Sequence, residues 1–98
     1  MHVSTAPIVP DRARAIVIGA GIAGLSTSLR LACAGMQVSL LERHAHAGGK
    51  IRTVPSDAGP VDAGPTGLTM RHVIDDLFAA AGTTLEDHVT LIPQDILA

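Results

Sequence analysis

The sequence has little cysteine, little net charge and no long uncharged run. Its single cysteine, Cys33, excludes an internal disulfide framework and fits a reducing compartment. A formal charge of −2 with 47% hydrophobic residues is unlike a disordered chain or a nucleic-acid-binding chain, so no nucleic-acid partner is expected. Residues 1–14 lack the apolar core and cleavage site of a signal peptide, which predicts a cytoplasmic location.

The longest uncharged stretch, between Arg14 and Arg30, is also too short for a membrane span. Crossing the hydrocarbon core takes roughly 20 residues, and the glycines in this stretch suit a turn better than a lipid-facing helix. No internal repeat or low-complexity segment interrupts the chain. These absences favour a single domain of at most modest size.

The apolar pattern predicts a strand, a helix and a second strand. "AIVIG" at 15–19 is a β-branched run bounded by glycine, which is typical of a buried parallel strand. Helical spacing follows from Ile22 to Met36 with Gly35 as the stop, and "QVSLLE" at 37–42 is again strand-like. A right-handed crossover makes this a βαβ unit of the α/β class. Residues 1–14, polar and containing two prolines, are expected to form a flexible arm before a partial domain at 15–98.

The remaining chain is predicted to be less regular. Residues 44–67 are rich in glycine and proline and are expected to be extended and irregular. A second amphipathic helix is predicted from Met70 to Ala81, with Thr69 as its N-cap and Gly82 as its stop. A short helical turn and a strand at 89–92 are expected after it.

The segment "GAGIAG" between the first strand and the helix predicts a dinucleotide site. In this context the first glycine makes the tight turn, the second lets the backbone reach a pyrophosphate, and the third lets helix and strand pack closely. The helix N-terminus supplies free N–H groups. Glu42, at the end of the second strand, would accept hydrogen bonds from ribose hydroxyls and repel a 2′-phosphate, so NADP is the least expected ligand. The candidate residues are Gly19, Ala20, Gly21, Ile22, Ala23, Gly24 and Glu42.

Two later segments resemble one flavoprotein superfamily. "LERHAHAGGKIRT" resembles the extended dinucleotide motif of the amine oxidase and phytoene desaturase superfamily, in which paired glycines and a cation follow the acid. "VDAGPTGLTMRHVIDDLFAAAG" is similar to the Asp-x-Gly-Pro-Thr segment of its bacterial carotenoid desaturases, most of all the hydroxyneurosporene (methoxyneurosporene) dehydrogenase branch. The resemblance adds the cofactor candidates Arg43, Gly48, Gly49, Lys50, Gly64, Pro65 and Thr66.

The resemblance implies an FAD-dependent oxidoreductase. Members transfer a hydride from a carbon-carbon bond of a carotenoid, a lipid-soluble substrate, to the flavin. They are usually peripheral at the membrane, here the inner membrane, through regions absent from this chain. The match covers residues 15–98 and only the N-terminal part of such an enzyme. It therefore implies part of a Rossmann-like FAD-binding domain with an incomplete sheet. No catalytic residue can be named among these residues. Because an incomplete sheet exposes apolar edges and faces, this chain alone is expected to be poorly stable and inactive.

Three alternatives remain open at this point. An FAD-dependent amine-oxidase-like enzyme could act on another substrate. An NAD-linked dehydrogenase would continue with ordinary β–α alternation after Glu42, which the glycines at 48–67 disfavour. A small non-catalytic nucleotide-binding module would be the third. No metal site is predicted, because His44 and His46 lack further ligands at a suitable spacing.

Overall fold

The computed structural model describes residues 2–4 and 12–96. Their elements, in chain order, are β1 (His2–Ser4), β2 (Arg14–Ile18), α1 (Ile22–Cys33), β3 (Gln37–Leu41), β4 (Thr53–Val54), β5 (Val61–Asp62), α2 (Arg71–Ala80) and a 3₁₀ turn (Leu85–Asp87). Strands β1, β3 and β2 form one sheet in that order, and β4 and β5 form a separate hairpin.

The predicted strand-helix-strand unit is confirmed. Strands β2 and β3 are parallel and in register from the pair Arg14 and Gln37 to the pair Ile18 and Leu41. Helix α1 connects them and packs on one face of the sheet. Val38 and Leu40 are buried beneath it because alternate residues of a strand point to the same face. The α/β class and the Rossmann-like beginning of the fold follow from this unit.

The N-terminal arm differs from the expectation where the structure describes it. His2–Ser4 forms β1, which pairs antiparallel with β3 from His2 opposite Leu41 to Ser4 opposite Ser39, and Arg14 already belongs to β2. The outer edge of β3 would otherwise present unpaired backbone groups, and a short strand satisfies them. Residues 1 and 5–11 of the predicted arm lie outside the described residues.

Both helices stop where the sequence predicted, at Gly35 and Gly82. Each glycine has a positive φ, 94° and 79° respectively, and each donates its N–H three residues back, to Ala32 and Ala79. The next N–H in each case donates five residues back, which completes the Schellman arrangement that ends a helix.

The predictions of the N-cap of α2 and of a strand in the tail were wrong. Met70, with φ 51°, is the N-cap of α2, and no side chain, Thr69 included, caps it. Residues 89–96 contain no helix or strand, although 85–87 form the expected helical turn. The apolar run pairs with neither described sheet, and Ile92 is 76% exposed. The stretch 44–67 is irregular as predicted, apart from the two-residue strands β4 and β5.

The sheet is incomplete on the side away from α1. Ile16 and Ile18 point to that face and are 68% and 85% exposed. Strand β2 is also an edge strand, paired on one side only among the described residues. No helix in the described part is long and apolar enough to cross a membrane.

Candidate functional site

The glycine turn between β2 and α1 is the centre of the candidate site. Gly24, in the first turn of α1, lies so close to Gly19 that a Cβ on Gly24 would overlap the Gly19 carbonyl oxygen. A Cβ there would also stand 3.6 Å from Cγ1 of Val17. Only glycine therefore allows the helix to approach the end of the strand this closely.

The N-terminus of α1 opens onto this turn. Gly21 is the N-cap, no side chain caps it, and the first turn contains no acidic residue. Because the first N–H groups of a helix have no partner within it, they are available to an anion, and the helix dipole favours negative charge there. Ile22 and Ala23 are exposed at this end of the helix.

Glu42 holds the turn from the opposite side. Its Oε1 accepts a hydrogen bond from the Ala20 N–H at 2.9 Å, and its Oε2 accepts one from the His44 N–H at 2.9 Å. The His44 and Ala20 N–H groups keep the pKa of the Glu42 carboxyl below its ordinary value, because both stabilise the ionised form. The sequence placed Glu42 near the turn but did not indicate that it bonds the turn's own backbone.

The second glycine pair, Gly48 and Gly49, packs directly on the glycine turn between β2 and α1. The Gly48 N–H donates to the Ala20 carbonyl oxygen at 2.8 Å. Gly49 has φ 58°, and a Cβ on it would lie 3.0 Å from the Cα of Gly21. Two distant glycine-containing segments of the sequence thus become one continuous backbone surface.

The Asp-x-Gly-Pro-Thr segment continues this surface. A Cβ on Gly64 would overlap the carbonyl oxygen of Lys50, so the two backbones are in direct contact. A cleft of about 480 Å³ lies between these segments, and its lining consists of Gly49, Lys50, Arg52, Ala63, Gly64 and Pro65. The structure therefore brings Lys50, Gly64 and Pro65 together with the second glycine pair.

Two of the candidates that the resemblance adds, Arg43 and Thr66, neither line this cleft nor hydrogen-bond the glycine turn. Arg43 is exposed, and its Nε donates to Nε2 of the neighbouring His44 at 3.4 Å. Thr66 is exposed and lines neither this cleft nor a second one of about 460 Å³ beside the hairpin. Arg52 lines both clefts and Asp62 lines the second one, although neither was among the binding candidates from the sequence. The alternate spacing of Lys50 and Arg52 was the available signal.

The described residues contain no group of three or more metal-ligating side chains placed to hold a metal ion. What the arrangement offers instead is a set of backbone amides, two close-packed glycine segments, one carboxylate and two cations. Such a set suits an extended anionic ligand with hydroxyl groups.

Comparison with known proteins agrees with this description. Residues 17–81 match the model of a family described as NAD(P)-binding Rossmann-like domain. The chain is 54% identical over 91 residues to hydroxyneurosporene desaturase of Cereibacter sphaeroides, which covers 93% of this chain and 18% of that protein. It is 54% identical over 85 residues to the hydroxyneurosporene desaturase of Rubrivivax gelatinosus, which covers 87% of this chain and 16% of that protein.

A more distant relative is 4,4'-diapolycopene oxygenase of Methylomonas sp, 43% identical over 81 residues, or 83% of this chain and 16% of that protein. These relatives confirm the resemblance to carotenoid enzymes of the phytoene desaturase family. The chain spans less than a fifth of the length of the relatives it matches.

Proposed function

This chain belongs to the NAD(P)-binding Rossmann-like domain family, and from that premise we propose that it holds FAD as the N-terminal segment of a carotenoid desaturase. The family and the fold both support a dinucleotide cofactor. The choice of FAD, the carotenoid substrate and the desaturation reaction are the proposed part.

The residues at the turn fit a dinucleotide pyrophosphate. Gly24 allows α1 to lie against the end of β2, and Gly21 leaves the backbone beside Gly49 uncovered, since a Cβ on Gly21 would stand 3.8 Å from the Cα of Gly49. The amides at the start of α1 face that space without an internal cap. A side chain at Gly24 would therefore displace α1 from β2, whereas a side chain at Gly21 would project into the space beside Gly49.

The observation that favours FAD over NAD is the contact of Gly49 with Gly21, continued by the contact of Gly64 with Lys50. An NAD-linked dehydrogenase would be expected to enter another helix soon after β3. Here the chain instead turns back along the dinucleotide site, and residues 44–67 form an irregular segment with the hairpin β4–β5. That course lengthens the site beyond the pyrophosphate, as a larger cofactor requires.

The candidate residues have distinct tasks in this proposal. The turn from Gly19 to Gly24 and the amides of α1 hold the pyrophosphate, and Glu42 accepts hydrogen bonds from the ribose hydroxyls. Its two oxygens retain this capacity because each carboxylate oxygen can accept more than one hydrogen bond. Lys50 and Arg43 supply positive charge. Further along the cofactor lie Gly48, Gly49, Gly64, Pro65 and Thr66.

FAD held by the glycine turn and by Gly48 and Gly49 would supply a hydride acceptor for forming a carbon–carbon double bond in the substrate, with a proton lost from the neighbouring carbon. No described residue is assigned as the acid or base of that step. This chain's residues bind and orient the cofactor, and no described residue is assigned a substrate contact.

The carotenoid substrate is proposed from the relatives' names, hydroxyneurosporene desaturase above all. We also propose a cytoplasmic location with peripheral attachment at the inner membrane through regions outside this chain. A nucleic-acid partner is not proposed, because the chain carries a net charge of −2.

A chimeric enzyme tests the proposal. The matched region of the Cereibacter sphaeroides desaturase is replaced by residues 1–98 of this chain, and the purified chimera is assayed for flavin content and for dehydrogenation of hydroxyneurosporene. We expect both to be retained. A matched chimera with Gly21→Val should lose flavin, because the side chain would enter the space beside Gly49.

A folded chimera without flavin would overturn the FAD assignment. Retained flavin with no turnover of hydroxyneurosporene, but turnover of another substrate, would favour the amine-oxidase-like alternative. Tight binding of NAD in preference to FAD by the 98-residue chain would favour the dehydrogenase alternative. FAD binding by the chain with an inactive chimera would leave only the non-catalytic module.

A further inference from the structure

Strand β2 has one edge that the rest of the described sheet leaves unpaired. It pairs with β3 on one side, and no other described strand pairs with its second side. Just before the strand, the Ala13 carbonyl oxygen accepts a hydrogen bond from the Gln37 N–H at 2.8 Å. Just after it, the Gly19 N–H donates to the Leu41 carbonyl oxygen at 2.7 Å. Odd-numbered residues therefore bond β3, since neighbouring residues of a strand direct their backbone groups to opposite sides.

The even-numbered residues of β2, which are Arg14, Ile16 and Ile18, direct their N–H and C=O groups to this free edge. Their side chains point to the face of the sheet away from α1, where Ile16 and Ile18 are 68% and 85% exposed. Backbone groups at such an edge are a template for pairing with another strand. The free edge thus combines donors and acceptors that no described strand satisfies with exposed apolar side chains.

The free edge is complementary to itself in a single antiparallel register. Directly opposite residues exchange both hydrogen bonds only when the backbone groups of each face the other. With Ile16 opposite Ile16 of a second copy, Arg14 of each copy lies opposite Ile18 of the other, and every backbone group of the edge is paired. A shift by one residue brings groups that face β3 into these positions. A shift by two leaves one residue of each strand beyond the end of its partner.

The charges at the ends of the sheet favour the same arrangement. Arg14 lies at the start of β2, whereas the carboxylate of Glu42 follows the end of β3. Antiparallel pairing brings the cationic end of one sheet beside the anionic end of the other. It also holds the two Arg14 side chains at opposite ends of the junction, so like charges do not lie opposite each other.

We propose that the 98-residue chain forms a two-fold dimer through the free edge of β2, in which two three-stranded sheets join into one. Because opposite residues of an antiparallel pair point to the same face, both α1 helices cover one face of the joined sheet. Ile16 of one copy packs against Ile16 of the other on the second face. This inference goes beyond the proposed function and does not depend on the binding of FAD.

Cysteine cross-linking tests the register on the full 98-residue chain. Cys33 is exposed and is first removed by Cys33→Ser, and either Ile16→Cys or Ile18→Cys is then added. In the dimer the two Cα atoms at position 16 are about 5.5 Å apart, within the range of a disulfide, whereas those at position 18 are about 14 Å apart. Under mild oxidation, followed by intact-protein mass spectrometry, Ile16→Cys should form the linked dimer roughly tenfold faster or more, because pairing raises the local thiol concentration. Random collision predicts the opposite order, since position 18 is the more exposed.

A proline variant tests the hydrogen bonds of the junction. The Ile16 N–H faces the free edge, so Ile16→Pro removes a donor from the junction and none from the ladder with β3. Ile16→Val is the matched control, because it keeps both the N–H and a branched side chain. Sedimentation velocity over a range of concentrations should give a dimer dissociation constant roughly tenfold or more higher for Ile16→Pro, since the dimer loses two hydrogen bonds, and an unchanged one for Ile16→Val. Circular dichroism checks that each variant is folded.

Equal cross-linking of the two cysteine variants overturns the inference, because it would show association without this register. A folded Ile16→Pro chain that dimerises like the wild-type chain overturns it as well, and assigns association to the open face of the sheet. If Ile16→Pro does not fold, the comparison of the cysteine variants decides alone. A wild-type chain that stays monomeric but binds the separately purified remainder of the Cereibacter sphaeroides desaturase also overturns the inference, and assigns the edge to sequence of the longer relatives.

Discussion

Ala20 and Glu42 show how much of the site depends on single residues. Ala20 is fully buried, its N–H donates to the Glu42 carboxylate, and its carbonyl oxygen accepts from the Gly48 N–H. The glycine turn, the end of β3 and the second glycine pair are therefore connected through one small residue. Glu42 is a structural group of the turn as well as a proposed ligand of the ribose.

Glu42 should make the turn sensitive to acid. Because its folded-state pKa is lowered, its contribution is fully present above the ordinary value of about 4.5 and is lost as the pH falls through the folded-state pKa. We expect the NMR signals of the Ala20 and His44 amides to shift together with a midpoint below that value. In Glu42→Gln this joint titration should vanish, whereas Asp57→Asn should leave it intact. A midpoint above 4.5 would contradict the hydrogen bonds described.

Gly24→Ala should destabilise the chain. The added methyl group would meet the Gly19 backbone, which cannot move without displacing α1 from β2, and overpacking of this kind costs about 1–3 kcal/mol. Gly67→Ala is the control, because a Cβ there has no atom within 4 Å. Urea denaturation followed by circular dichroism measures both. Equal midpoints for the two variants would show that α1 does not depend on this approach.

At the scale of elements, the two helices end alike but begin differently. Helix α1 begins after a glycine, whereas α2 begins after Met70, the one described residue other than glycine with a positive φ. The sequence predicted the shared ends because glycine marks them. It missed the start of α2 because Thr69 is a favourable capping residue by type, and only the path of the preceding chain determines which residue takes the cap.

Met70→Gly should therefore stabilise α2 by up to about 1 kcal/mol. A left-handed conformation costs a side-chain-bearing residue about 1–2 kcal/mol, and glycine's greater freedom in the unfolded chain offsets part of the gain. Ala79→Gly, inside the same helix, should instead destabilise by about 1 kcal/mol. Thermal unfolding of both variants is the measurement. A loss of stability in Met70→Gly would mean that its side chain, 66% exposed, makes contacts that outweigh the strain.

At the scale of the whole molecule, the open face of the sheet is the dominant feature. Ile16 and Ile18 are largely exposed on β2, an edge strand of the described sheet. Such an edge with an apolar face favours association with other chains. In a doubly wound fold both faces of the sheet are covered. The relatives, whose length this chain covers by less than a fifth, have further sequence that could supply this cover.

The double variant Ile16→Thr, Ile18→Thr should reduce self-association of the 98-residue chain. Threonine preserves the strand preference and removes apolar surface from a face that is already exposed, so folding should be little affected. Sedimentation velocity should give a higher average mass for the wild-type chain than for the variant.

Val38→Ala serves as the contrast, since Val38 is fully buried and its truncation should lower stability instead. A wild-type chain that is monomeric at every concentration tested would contradict the role given to the open face. A variant that associates as strongly as the wild-type chain would also contradict that role.

The sequence was most informative where a local pattern and a backbone requirement coincide. The β2–α1–β3 unit, the two helix stops and the irregular stretch after β3 are of this kind. The tail at 89–92 could not be predicted, because an apolar run becomes a strand only beside an available edge. The approach of Gly64 to Lys50 and the place of Arg52 and Asp62 in one cleft depend on how separate segments fold back, which no local pattern contains.

The double attachment of Ala20 has a consequence for the speed of ligand capture. The turn is already held in its final shape by Glu42 on one side and Gly48 on the other, so a dinucleotide meets an ordered surface rather than a loop that must first be arranged. Association should then be limited by encounter and by loss of water, and the observed rate should rise in proportion to ligand concentration without levelling off.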